Sequence, residues 1–297
     1  MRIVIGFQEG CAALTRNHLS SNVISPVTED DNPDNPEKTV TQILSDIRSR
    51  GDAAVFEYSK KFDDLQSNVL EVPKNVLYDA YRGLPRTLKN ALAKISERAT
   101  SFHTASLPKS WMDFAQGYGE KFTPLTRIGI YIPGGSAVYP STVLMTAIPA
   151  RVAGVSEIIL ATPSKGSEGP HPTILAAAYI SKVDRVFQIG GAQAIGAMAY
   201  GTASIPKVEM VCAPGNLFVT IAKRMVYGDV AVDGLYGPTE TVSIADEDSN
   251  PQLCASDLLA QAEHDPLASP IFITTSQSIL SNVQLEIENQ VSRLPRE

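Results

Sequence analysis

From Arg127 onward the chain repeats one pattern four times, a short β-rich apolar run followed by a helical stretch. R-I-G-I-Y-I-P precedes S-T-V-L-M-T-A-I-P-A-R-V-A-G, and E-I-I-L-A-T precedes T-I-L-A-A-A-Y-I. R-V-F-Q-I-G precedes A-Q-A-I-G-A-M-A-Y, and V-E-M-V-C-A-P precedes N-L-F-V-T-I-A-K-R-M-V-Y. Four βα units in succession predict a parallel sheet covered by helices on both faces.

The pattern restarts after Gly237 with the strand T-V-S-I-A-D, a helix, the strand P-I-F-I-T-T-S and a last helix from Gln277 to Leu294. Two strands are too few for a self-sufficient parallel sheet, so the chain is expected to be cut short. Ahead of Arg127, an acidic, proline-rich loop over 24–37 leads into helices. Val40, Ile43, Leu44 and Ile47 recur at helical spacing, Gly51 breaks the pattern before Val55, Phe56 and Tyr58, and another helix runs from about Arg86 to Phe102. The expected fold is α/β, with two Rossmann-like parallel-sheet domains, the first discontinuous and incomplete, and an N-terminal helical region. The expected boundaries give residues 1–129 with 238–297 as one domain, the front helices packing on its partial sheet, and residues 130–237 as an inserted domain.

At 297 residues, 43% of them hydrophobic, the chain has the apolar mass for two cores. Its net charge of −7 and the lack of a Lys/Arg-rich tract argue against nucleic acid or an anionic membrane as partner. Cys11, Cys212 and Cys254 are odd in number and lack C-x-x-C spacing, which fits buried free thiols in a reducing compartment. The opening M-R-I-V-I-G-F-Q-E-G is too short an apolar run for a secretory leader, and no run approaches the roughly 18 apolar residues of a membrane span. A cytoplasmic location is expected.

In open α/β sheets, ligands gather where strand carboxyl ends meet helix N-termini. Three turns qualify: Tyr131-Ile132-Pro133-Gly134-Gly135-Ser136, Gly190-Gly191-Ala192-Gln193 and Ala213-Pro214-Gly215-Asn216. Glycine lets backbone approach a ligand closely, but the G-x-G-x-x-G fingerprint is absent. Asn216 also reads as a helix N-cap, Gln193 as a surface amide and Tyr131 as a sheet-end aromatic. Cys212 lacks a histidine within sequence reach and reads as a packing residue, as does Cys254.

A different signal lies in S-D-L-L-A-Q-A-E-H-D-P-L-A, residues 256–268. Gln261 and His264 project side by side at i and i+3, with Asp257 one turn earlier. An amide oxygen and an imidazole could bind a divalent metal, though a complete site needs further protein ligands. The alternative is a plain polar helix end, with Asp257 an ordinary carboxylate or a partner that orients a ligand, and Glu263 solvated. His18 and His103 show no paired spacing, and His171 sits in a Gly/Pro loop.

Five stretches in order, R-I-G-I-Y-I-P-G-G-S-A with P-S-T-V-L-M, G-G-A-Q-A-I-G-A-M-A-Y-G-T, P-G-N-x-F-V-T-x-A-K-R, G-P-T-E and L-L-A-Q-A-E-H, resemble the histidinol dehydrogenase family from about Thr39 to Pro295. The resemblance implies an NAD-dependent, zinc-bound homodimer of histidine biosynthesis that oxidises L-histidinol twice, through the aldehyde, to L-histidine. By motif it implies that Tyr131, Gln193 and Asn216 contact NAD. Gln261 and His264 would be two of four zinc ligands and would also touch substrate, and Thr239, where the family usually has serine, would bind substrate.

Departures accompany the match. The family's adjacent Glu-His acid/base pair and its remaining Asp and His zinc ligands are missing, and so is the C-terminal arm that reaches across the dimer. The one Glu-His dipeptide here, Glu263-His264, belongs to the zinc helix. A fragment inactive in histidinol oxidation is expected. Tyr236 before G-P-T-E, and Asp265 where glycine is common, leave open a related dehydrogenase of another polar alcohol. A non-catalytic remnant that keeps NAD binding or a dimer surface is a further alternative.

Overall fold

The structure, a computed structural model, describes residues 2–18, 35–134, 138–164, 166–235, 239–264 and 268–294, with backbone alone at 15–18, 167 and 264. In chain order the elements are α1 (Phe7–His18), α2 (Pro36–Arg50), α3 (Asp52–Asp63), β1 (Glu71–Val72), α4 (Lys74–Gly83) and α5 (Arg86–Ser106). Next come β2 (Trp111–Asp113), β3 (Tyr118–Glu120), β4 (Arg127–Tyr131), α6 (Pro140–Val152), β5 (Glu157–Ala161) and α7 (Pro172–Ile180). Then follow β6 (Arg185–Phe187), α8 (Gly191–Tyr200), β7 (Met210–Cys212), α9 (Leu217–Val226) and β8 (Ala231–Val232). The last are β9 (Glu240–Ala245), α10 (Pro251–His264), β10 (Ser269–Thr274) and α11 (Gln277–Val291). Two compact units divide the chain, residues 26–235 and residues 1–25 with 236–297.

Residues 26–235 form a mixed α/β unit around a six-stranded sheet in the order β1-β6-β5-β4-β7-β8. All neighbours are parallel except the short edge strand β1, which runs antiparallel to β6. Ile128 through Tyr131 and Ile158 through Ala161 are buried without interruption, as strands covered on both faces must be. Alternation along β4 sends Ile128 and Ile130 to one core with α4–α7, and Tyr131 to the other with α2, α3, α8 and α9.

This division differs from the one read from the sequence. Helices α2–α5 cover the six-stranded sheet rather than the partial second one, so the boundary falls near 235 and not at 129/130. The reason is steric fit. The α2 stripe Val40, Ile43, Leu44 and Ile47 is fully buried against α8, whose Gly196 leaves room for it: a Cβ there would lie 2.8 Å from Leu44 Cδ2 and 3.0 Å from Ile47 Cδ1. On the opposite face Tyr81 of α4 stacks on Tyr179 of α7 at 5.1 Å between ring centroids, and Tyr78 packs tilted against the same ring at 5.5 Å. Edge strand β1 is held by Glu71, which accepts from Arg185 Nε at 3.0 Å and Nη2 at 2.6 Å.

Gly51 does separate two helices, at φ +56 between α2 and α3. Helix α4, strands β1 and β8 and the β2–β3 hairpin have no counterpart in the sequence reading. Of the acidic stretch expected as a loop, positions 24–34 lie outside the described residues, and Asn35 caps α2 by accepting from Glu37 N–H at 2.9 Å.

In the other unit, β9 and β10 form a parallel pair joined through α10. Ala255, Leu258, Ile279 and Val283 make its core, with Cys254, Phe272 and Ile287 packed against it. Among the described residues no helix is long and apolar enough to cross a membrane.

Candidate functional site at the carboxyl edge of the parallel strands

Strand β4 pairs with β5 on one side and β7 on the other, and the helices that follow β4 and β6 lie on opposite faces of the sheet. The chain therefore reverses its winding at β4/β7, the kind of point at which ligands of open α/β sheets bind. The described residues of all three turns singled out in the sequence lie at this edge, because each turn follows a parallel strand of the one sheet; positions 135 and 136 of the first lie outside the described residues.

Tyr131 ends β4 and is 4% exposed, and its hydroxyl accepts from Gly191 N–H at 3.2 Å. Burial pushes its pKa up to about 12; the Gly191 bond opposes the rise and the nearby Asp63 charge adds to it. Gln193 is 1% exposed, and its Nε2 donates to Asp63 Oδ2 at 3.0 Å. The same carboxylate oxygen accepts from Gly190 N–H at 2.9 Å. Burial raises the Asp63 pKa above the usual carboxylate range, against the lowering effect of these two bonds. Asp63, the last residue of α3, thus caps the start of α8 from a distant part of the sequence.

Glycine is required in this turn. Gly191 has φ +57, and a Cβ there would lie 2.8 Å from Gln193 Oε1. At Gly190 a Cβ would come within 2.5 Å of Asp63 Oδ1 and 2.9 Å of Pro163 Cβ. Tyr131, Gln193 and the glycine turn are therefore brought together, and Gln193 is a buried, bonded amide rather than a surface one.

The turn after β7 is built differently. Asn216 caps α9, its Oδ1 accepting from Val219 N–H at 3.2 Å, and its side chain is exposed. Lys223, 2% exposed, donates to Ala213 C=O at 2.8 Å and pairs with Asp233 Oδ1 at 2.5 Å. Asp233 Oδ2 accepts from Ala213 N–H at 3.2 Å, so the pair grips both polar groups of one residue. Burial first, then the Asp233 charge, push the Cys212 thiol up to about 11 against the influence of Lys223, which fits a packing residue and not a nucleophile. His171 caps α7, its Nδ1 accepting from Thr173 N–H at 3.2 Å.

In the second unit, α10 ends at His264 and returns the chain to the amino end of β10. Thr239 immediately precedes β9, and its carbonyl accepts from Ser269 N–H at 3.0 Å. Thr239, Gln261 and His264 therefore share the amino edge of the two-stranded sheet, opposite to the edge where α/β ligands usually gather. Asp257, one turn before Gln261, accepts from Ser243 Oγ at 2.8 Å, which ties the helix to β9. Gln261 and Glu263 are half-buried. The side chain of His264, and Tyr236 and Asp265 as wholes, lie outside the described residues. Among the described residues no three His, Cys, Asp or Glu side chains are grouped to hold a metal. An amide and an imidazole supply two of the four donors zinc takes, so this donor set does not make a zinc site by itself.

Asp63, Lys223 and Asp233 were missed. Lys223 lies inside a quoted motif, where helical spacing alone would have marked a basic residue on an apolar helix face. Asp63 is the last residue of a helix and carries no local signal.

A parallel-rich sheet wound on both faces, with glycine turns along its carboxyl edge, defines a mixed α/β protein. The chain belongs to the histidinol dehydrogenase family, whose profile matches residues 27–297. It is 43% identical over 301 aligned residues to a histidinol dehydrogenase of Synechococcus sp., which spans 100% of this chain and 68% of the relative. A histidinol dehydrogenase of Dehalococcoides mccartyi is 49% identical across 88% of this chain and 60% of its own length. The crystal structure of histidinol dehydrogenase from Elizabethkingia anophelis superposes with a TM-score of 0.83 at 35% identity, covering 92% of this chain and 64% of that one. The chain thus spans about 60–68% of the length of the curated relatives it matches.

Proposed function

We propose that this chain is the cofactor-holding part, with the metal-bearing helix, of an enzyme that oxidises L-histidinol to L-histidine through the aldehyde, with NAD as hydride acceptor. The observation that carries this reading is the meeting of Tyr131 and Gln193, residues of two separate family motifs, at the Gly190–Gly191 turn. Residues 26–235 would hold the dinucleotide along the carboxyl edge, and residues 236–297 would carry substrate and zinc contacts.

The residues present suit such a ligand. Ser164, just past β5 and 5% exposed, has a buried hydroxyl without a hydrogen-bond partner among the described residues, and such a group fits a polar ligand. Tyr139 gives the start of α6 no side-chain cap, whereas the starts of α8 and α9 are satisfied by Asp63, Tyr131 and Asn216. Among the described residues that amide end would suit a phosphate group. The Tyr131 hydroxyl, fixed by Gly191, and the exposed Asn216 amide would line the path of the dinucleotide on either side of the switch point.

Bound NAD would take the hydride from the alcohol carbon. The alcohol proton needs a base; Glu263-His264 is the one Glu-His dipeptide in these 297 residues, so the base that the resemblance implies would not be among them. Gln261 and His264 would supply two zinc donors and touch substrate with Thr239, and the other donors would come from beyond this chain. The whole enzyme would be a cytoplasmic homodimer. Calorimetric titration of the 297-residue chain with NAD+ tests the cofactor half of this reading: saturable binding is expected, and its absence at millimolar NAD+ overturns it. Steady NADH formation from L-histidinol by this chain alone would refute the placement of the base.

A further inference from the structure

We propose that Asp63 is a positioning residue for the cofactor: its carboxylate fixes which way the Gln193 amide faces, so that Gln193 meets the dinucleotide as an acceptor. This rests on the reading of Gln193 as a cofactor contact. Asp63 lies 130 positions from Gln193 and outside the stretches that mark the family.

The two ends of a glutamine amide are almost the same size, and only their partners tell them apart. Oδ2 already accepts from Gly190 N–H and so meets the amide through its nitrogen rather than its oxygen, at 3.0 Å. The oxygen Oε1 is then turned toward Gly191, the one place in the turn where a Cβ would collide with it, at 2.8 Å. With Gln193 1% exposed, no solvent competes for the nitrogen or helps the amide turn over.

Gly190 N–H binds the same oxygen of Asp63, so one atom sets both the turn and the side chain. The orientation is therefore decided before any ligand arrives, which lowers the ordering cost of binding. The chemistry this selects in the ligand is a donor, such as a ribose hydroxyl or an amide N–H. A carbonyl or phosphate oxygen presented to Gln193 would meet another acceptor.

The test compares the 297-residue chain with D63A, D63S and D63N by calorimetric titration with NAD+, with each thermal midpoint recorded. Asparagine can place its single carbonyl oxygen where Oδ2 stands and keep both bonds without charge. D63N should therefore bind NAD+ within about threefold of the parent, while D63A and D63S, which fall short of both nitrogens, should lose about tenfold or more. The split between D63S and D63N decides the matter if D63A does not fold. Parent-like affinity in D63A or D63S, or a loss in D63N as large as theirs, overturns the proposal and leaves the cofactor reading standing. A parent chain that does not bind NAD+ overturns that reading and this inference with it.

Discussion

Replacing Lys223 by methionine removes the cation that grips the turn after β7 while keeping most of its stem. Lys223 is 2% exposed and bonds Ala213 C=O at 2.8 Å and Asp233 at 2.5 Å. Taking one partner from a buried ion pair costs about 3–5 kcal/mol, because the other charge is stranded. The Asp233 side chain is 25% exposed, so water takes up part of that charge, and we expect a loss of about 2–3 kcal/mol. In a unit of this size each kcal/mol lowers the midpoint by about 2–4 °C, which puts the shift at roughly 4–12 °C. Urea unfolding followed by circular dichroism reads the change, with R48M as control. Arg48 and Asp229 form an ion pair whose side chains are 66% and 39% exposed, and its loss should cost less than about 1 kcal/mol. The K223M/D233L pair should recover much of the deficit, since no charge is then stranded. A K223M chain no less stable than R48M would refute the reasoning.

Three further outcomes follow from the packing and the titrating groups. G196V should destabilise the chain by about 1–3 kcal/mol in the same urea assay, because its methyls enter the space of Leu44 and Ile47; an unchanged midpoint would mean that α2 does not pack on α8. With its thiol up at about 11, Cys212 should stay unlabelled by iodoacetamide near pH 8 while exposed Cys11 reacts, and equal labelling of the two by mass spectrometry would contradict this. Burial raises the Asp63 pKa on folding, so its contribution is full below the ordinary carboxylate value and is lost as pH rises through the raised one. The D63N chain should therefore gain stability relative to the parent as pH rises across that window, and a constant difference from about pH 3 to about pH 7 would exclude the shift.

The strand and helix order from Arg127 to Tyr227 was legible because strands buried on both faces write unbroken apolar runs, and helices between them write a different period. The partner of each front helix was not. The stripe Val40, Ile43, Leu44, Ile47 says that α2 is buried on one side, but its position against α8 depends on the missing side chain of Gly196, which a periodicity does not register. The edge strand β1 is two residues long and held by an ion pair to Arg185, too short for any alternation to show.

The site divides in the same way. Tyr131, Gln193 and Asn216 stood out at the ends of strands, and the structure draws the first two to one turn. Asp63 was invisible, since its meaning comes from the place where α3 happens to end beside Gly190. Reading Gln193 as a surface amide failed for that reason: the group that satisfies it lies far away in sequence.

A crystal structure of the 297-residue chain soaked with NAD+ tests the central claim most directly. Binding as proposed would show the dinucleotide along the carboxyl edge of the six-stranded sheet, a phosphate near the start of α6 and a donor group on Gln193 Oε1. Density for NAD+ on another face of the molecule, or a fully occupied cofactor that touches none of Tyr131, Gln193 and Asn216, would contradict it.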